Sequence, residues 1–120
     1  FDILNMKPIE IAHQYFAHSN KSDLASIAEL FTDTTIYSSE NTGTFLGKDN
    51  IIEMQREFHT QYAYVNWEII STSEIEDGKF LFDIRFKRKT FEGDSFVSKV
   101  QEVVTIDDNK ILEIEIRNVE

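Results

Sequence analysis

The 120-residue chain contains no cysteine, a single proline and only four glycines. Without cysteine there is no disulfide framework, no zinc-thiolate site and no thiol nucleophile. With so few glycines, each at a turn signal, there is no glycine-rich loop to cradle a phosphate. No apolar run approaches the eighteen or so residues that span a bilayer, so no membrane partner is expected. No basic-then-apolar leader opens the sequence, although Phe at position 1 gives that absence little weight, and a cytoplasmic setting is the default expectation. Cations are also scarce: 12 Lys and Arg against 22 Asp and Glu leave a formal charge of −10, a field that repels nucleic acid. The one basic cluster, Arg85, Lys87, Arg88 and Lys89, reads as a solvated strand end, since no Arg-aromatic interleaving extends it.

What the chain does have is apolar residues, 41% of the total, with ten Phe among them. That load builds one core in a chain of this length, and a disordered segment would not carry it. The apolar residues change period near residue 60. Before it, spacing is helical. Pro8 suits a first helical turn, and Ile9, Ala12 and Phe16 form a stripe flanked by Ile11 and Tyr15. Asp23 reads as the N-cap of a second helix carrying Leu24, Ile27, Ala28 and Phe31 at i, i+3, i+4 and i+7. A short β-branched strand over 34–39 turns at Asn41-Thr42-Gly43 into Thr44, Phe45 and Leu46. Gly47 and Asp49 open a third helix with Ile51, Met54, Phe58 and Tyr62 on its apolar face.

After residue 60 the residues alternate. Val65, Trp67 and Ile69 share one strand face, and Asp77-Gly78 is the signal for a type I′ hairpin. Phe80, Phe82, Ile84 and Phe86 face one way on the next strand, with Leu81, Asp83, Arg85 and Lys87 facing the other. Turns at Glu92-Gly93-Asp94 and Asp107-Asp108-Asn109 divide two further strands. The fold class is therefore α+β: three N-terminal helices packed on a curved antiparallel sheet whose last four strands form a meander. Those last strands carry apolar residues on both faces, such as Val100 and Val104 against Val97 and Val103. One face must meet the helices, and the other predicts a homodimer through the sheet.

The order and spacing of several short words resemble the nuclear transport factor 2-like superfamily, its SnoaL-like members in particular. These are Tyr15-Phe16, Asp23-Leu24, Glu29-Leu30-Phe31-Thr32-Asp33, Gly47-Lys48-Asp49-Asn50-Ile51 and Asp108-Asn109-Lys110-Ile111. The resemblance covers about residues 8 to 118, as one domain. It implies a cystatin-like cone with an internal pocket opening at the wide end, and a range of activities too broad for the fold to select one.

Three residues carry the chemistry this resemblance implies. Tyr15, on the flank of its helix, matches the tyrosine of ketosteroid isomerase that donates to the substrate oxyanion. A buried Tyr hydroxyl satisfied by backbone is the ordinary alternative. Glu102 interrupts an apolar strand row, where desolvation would raise its pKa and make it a neutral donor. It matches the oxyanion-hole aspartate if one gap is allowed, and Gln101 matches without the gap. The general-base position falls on Ser39, with Glu40 one residue along as the carboxylate that could serve. Phe80, Phe82, Phe86, Phe96, Trp67 and His59 are the expected pocket lining. No metal or cofactor is expected, because His13 and His18 lie about 140° apart around their helix and share no face with other ligands. Two functions follow: a small-molecule-binding protein, with isomerase or cyclase action on a small hydrophobic carbonyl compound, or a non-catalytic binding or dimerisation module.

Overall fold

The computed structural model describes residues 6–119. Its elements in chain order are α1 (Pro8–Asn20), α2 (Leu24–Ala28), β1 (Ile36–Ser39), β2 (Gly43–Leu46), α3 (Lys48–His59), β3 (Tyr64–Glu76), β4 (Lys79–Lys89), β5 (Ser95–Asp107) and β6 (Lys110–Asn118). The six strands form one sheet in the order β2-β1-β6-β5-β4-β3.

Two features of the expected architecture need correction. The helices are not all N-terminal to the sheet, because the β1–β2 hairpin is threaded between α2 and α3. The sheet is mixed rather than antiparallel, since β1 runs parallel to β6 with Tyr37 opposite Ile114. The cause lies in the segment after α2. Thr35 Oγ1 donates to the Ile111 carbonyl at 2.7 Å, and the Ile111 amide donates to the Leu30 carbonyl at 2.8 Å. Both strands therefore start from the same point and must run the same way.

The helix starts follow their sequence signals, whereas α2 stops at Ala28, short of the Phe31 expected on it. Pro8 occupies the first turn of α1, and Glu10 Oε1 accepts the Lys7 amide at 2.9 Å. Asp23 caps α2, accepting from the Ser26 amide at 3.2 Å and from its hydroxyl at 2.7 Å. The Asp77-Gly78 hairpin is present, but only Gly78 has positive φ there. The pair of left-handed residues that a type I′ turn needs is instead Asp108 and Asn109, at φ 52° and 63°. Gly78 is held to glycine by a close approach as well, since a Cβ would stand 2.6 Å from the Ile106 carbonyl oxygen.

The buried stripe of α1 is Ile11, Ala12, Tyr15, Phe16 and Ser19, one residue round from the stripe read off the sequence. It packs on the inner sheet face, where Phe16 meets Phe82 edge-on at 5.0 Å between ring centroids. Ile27, Ile51, Ile84, Ile111 and Ile114 complete a fully buried centre. On the outer face polar groups predominate: Ser71 Oγ and Gln101 Nε2 both donate to Asp83, and Arg85 and Lys87 share the Glu68 carboxylate. Register shifts at Ile69/Ser71, Glu74/Glu76 and Thr105/Ile106 bend the strands round the helices. Among the described residues no helix is long and apolar enough to cross a membrane.

Candidate functional site

Between α1, α3 and the inner sheet face lies a cavity of about 280 Å³. Its lining changes character along its length. At the buried end stand Tyr15 from α1, Gln55 from α3, Tyr37 from β1 and Glu102 from β5, and all four side chains are buried. The middle is aromatic, with Phe58, Trp67 and Phe86. At the outer end are Arg88, Ser98, Asn41 and Asn118.

Glu102 is 1% exposed, and strand register explains why. It lies opposite Phe82 on β4 and Ile116 on β6, so the pleat turns it inward with the core residues. Gln101 faces the other way and donates to Asp83 at 3.0 Å, which settles in favour of Glu102 which of the two enters the cavity. Burial in an apolar row pushes the Glu102 carboxyl up to about 8, so it is largely neutral at pH 7. Its Oε1 has no hydrogen-bond partner among the described residues. A native buried polar atom left in this state is uncommon and marks a point where a water or a ligand atom would be held.

Tyr15 is positioned from both sides. Its hydroxyl accepts from Gln55 Nε2 at 3.0 Å and is also hydrogen-bonded with the buried Ser19 hydroxyl one helical turn along; its own proton is the one it can give to a ligand oxygen. Burial first, and then the neighbouring Glu102, hold its pKa well above the usual tyrosine value, so it stays protonated. Tyr37 is raised for the same leading reason. Gln55 Oε1 is a second buried acceptor with no partner among the described residues. The buried end thus offers three protonated groups, Tyr15, Tyr37 and Glu102, beside one unsatisfied amide acceptor, Gln55 Oε1.

The aromatic section is built from three elements. Asn20 at the end of α1 bonds the backbone of Trp67 through both amide atoms, accepting from its N–H at 2.6 Å and donating to its carbonyl at 3.2 Å. This fastens the sheet edge to α1. Trp67 then stacks on Phe86 with centroids 4.6 Å apart and planes 18° from parallel. His59, half-buried at the end of α3, lies 5.5 Å from the Trp67 ring, and its Nδ1 shares a 2.8 Å hydrogen bond with Ser22 Oγ. Burial lowers its pKa, so it is neutral at pH 7.

Several expected residues lie elsewhere. Glu40 is exposed and outside the cavity lining, because the β1–β2 turn sets it against the end of the neighbouring strand β6, where its Oε1 accepts the Asn118 amide at 2.6 Å. Ser39 does line the cavity. Phe80 and Phe82 are buried but do not line it; His13 and Phe16 of α1 pack on Phe82, and Phe80 lies beside Phe82. Phe96 is 48% exposed near the start of β5, beneath the Arg88 guanidinium. Tyr15, Glu102, Phe86, Trp67 and His59 all border the cavity.

Gln55 and Tyr37 were not singled out from the sequence, and Arg88 was read only as part of a solvated basic cluster. Gln55 had a usable signal: with Ile51 and Ile52 it forms the buried face of α3, a polar interruption of the kind that marked Glu102. Arg88 continues the inward parity of Phe82, Ile84 and Phe86. Among the described residues no cluster of three His, Cys, Asp or Glu side chains could hold a metal ion.

Helices packed in a curved, mixed six-stranded sheet of this order are the fold of the SnoaL-like and nuclear transport factor 2-like proteins. The chain belongs to the SnoaL-like domain family, whose sequence pattern matches residues 12–114. Solved structures agree on the fold. A provisionally assigned SnoaL-like polyketide cyclase of Shewanella putrefaciens superposes with a TM-score of 0.84 at 10% identity, over 95% of this chain and 81% of that one. A protein of Catenulispora acidiphila with a ketosteroid isomerase-like fold, in complex with trimethylamine, gives 0.81 at 13% identity over 92% and 85%. TerC, co-crystallised with polyporic acid, gives 0.81 at 15% identity over 93% and 91%. At such identities these show a shared fold alone. No curated protein matches the sequence.

Proposed function

We propose that the chain binds a small hydrophobic carbonyl compound in this cavity, the carbonyl oxygen accepting hydrogen bonds from the Tyr15 hydroxyl and the neutral Glu102 carboxyl. The observation that carries this reading is Glu102 itself, 1% exposed on the cavity wall with Oε1 unsatisfied among the described residues. An unmet buried polar atom costs about 1–3 kcal/mol, and a ligand oxygen at that point relieves it. The aromatic rings of Phe58, Trp67 and Phe86 supply the apolar contact.

Binding without turnover is the reading favoured over an isomerase or cyclase. Paired donors of this kind would stabilise an enolate. Forming that enolate needs a base: Ser39 stands at the expected position, Glu40 is outside the lining with its Oε1 engaged by the Asn118 amide, and the neutral imidazole of His59 borders the aromatic section rather than the paired donors, with its Nδ1 bonded to Ser22. Among the described residues Glu102 is the only carboxylate in the lining, and its proton is committed to donation.

Calorimetry with acetophenone tests the donor role. Affinity is expected to fall about tenfold between roughly pH 6 and pH 9.5, because ionised Glu102 loses its donor and repels the carbonyl oxygen. In Glu102→Gln that pH dependence should vanish, and Tyr15→Phe should weaken binding at both pH values. Equal wild-type affinity at the two pH values would remove Glu102 from the binding site.

A further inference from the structure

The four cations of the basic cluster are separated by the strand pleat. Arg85 and Lys87 lie on the outer face and share the Glu68 carboxylate, at 3.2 and 3.0 Å. Lys89 is exposed with the same outward parity. Arg88 alone has the inward parity of Phe86, and it borders the cavity.

The Arg88 side chain is held by three contacts. Its guanidinium lies 5.0 Å from the Phe86 ring centroid and 5.5 Å from that of Phe96, and its Nη1 donates to Ser98 Oγ at 3.1 Å. Among the described residues no carboxylate pairs with it. Among the described residues only Arg56, Lys79, Arg85, Lys87 and Arg117 pair with a carboxylate, so what sets Arg88 apart is that its unpaired guanidinium is held in place on the cavity wall. Glu40, the carboxylate nearest in sequence to the Asn41 rim, is engaged by the Asn118 amide. A guanidinium keeps four N–H donors after one is used, in a fork that matches a carboxylate.

Register gives the separation of the two polar ends. Ser98 lies opposite Phe86 and Glu102 opposite Phe82, four residues along both strands, or about 13 Å of strand. Val100 and the aromatic rings occupy the interval.

Building on the carbonyl-binding reading above, we infer that Arg88 anchors a carboxylate at the other end of the same ligand. The ligand class is then a hydrophobic oxo acid, its oxo group at Tyr15 and Glu102 and its carboxylate at Arg88, with an apolar segment between them.

The test compares ω-benzoylhexanoate with its methyl ester by calorimetry at physiological salt and about pH 6.5. The acid is expected to bind the wild type about tenfold more tightly than the ester. In Arg88→Met that ratio should fall to about one while ester affinity is unchanged, which also shows that the variant is folded. Arg88→Lys should keep part of the preference. If the ester binds the wild type and the acid binds no better, the carboxylate anchor is wrong and the carbonyl site stands. If acetophenone and the ester both fail to bind, the carbonyl site falls and the anchor with it.

Discussion

Replacing Glu102 with Gln is expected to make the domain more stable than the wild type above about pH 8, and to flatten its stability curve below that. The sign follows from where the proton resides. The buried carboxyl titrates at about 8 in the folded chain, against 4.5 for an exposed glutamate. Between those values folding takes up a proton, so stability is full below about pH 4.5 and is lost as pH rises through about 8. A shift of that size corresponds to about 5 kcal/mol, which is a large part of the net stability of a small domain. Gln has nearly the same shape, stays neutral and carries none of this penalty. Near pH 5 the two proteins should therefore be about equally stable, and near pH 9 the variant should be ahead by several kcal/mol. Urea unfolding across this range measures the difference directly. Parallel curves would mean that Glu102 is not buried as described.

The second large effect is expected at Phe82. Its side chain is fully buried, meets Phe16 edge-on, and lies 6.4 Å from the Phe80 ring. Phe82→Ala should cost about 3–5 kcal/mol, the range for removing a phenyl group from a packed core that cannot collapse around the void. Because α1 covers this residue and keeps it out of the cavity, acetophenone affinity per folded molecule should change little. Urea unfolding and calorimetry on the same preparation separate the two effects. A loss below about 1 kcal/mol, or a large loss of affinity with little loss of stability, would return Phe82 to the cavity wall.

Phe82 also shows what sequence can and cannot reveal about such a site. Alternation placed Phe80, Phe82 and Phe86 on one face correctly, and all three point inward. Alternation does not say how far along a strand the covering helix extends. Here α1 closes over Phe82 and leaves Phe86 open to the cavity. The break in the apolar row of β5 made Glu102 visible because it is local to one strand. Which of Glu102 and Gln101 faces inward required the pairing with β4, which is a long-range property. Ser39 and Glu40 illustrate the same limit at a turn, where a change of one residue decides between cavity and solvent. The parallel β1–β6 pairing arises from contacts linking Leu30 and Thr35 to Ile111, more than seventy residues apart in sequence. Helix caps and turn positions, by contrast, depend on residues within four of one another and could be read with little error. The exception is the identity of the left-handed turn, because Asp108-Asn109 tolerates positive φ less obviously than Asp77-Gly78.

The account rests on a neutral Glu102 at the closed end of the cavity, and carboxyl-carbon NMR reads that state without a ligand. The Glu102 resonance, assigned by its loss in Glu102→Gln, should titrate with a midpoint at about pH 8 and move higher when acetophenone is added. A midpoint near 4.5, unmoved by acetophenone, would show an ionised, solvated carboxylate and contradict the proposed site.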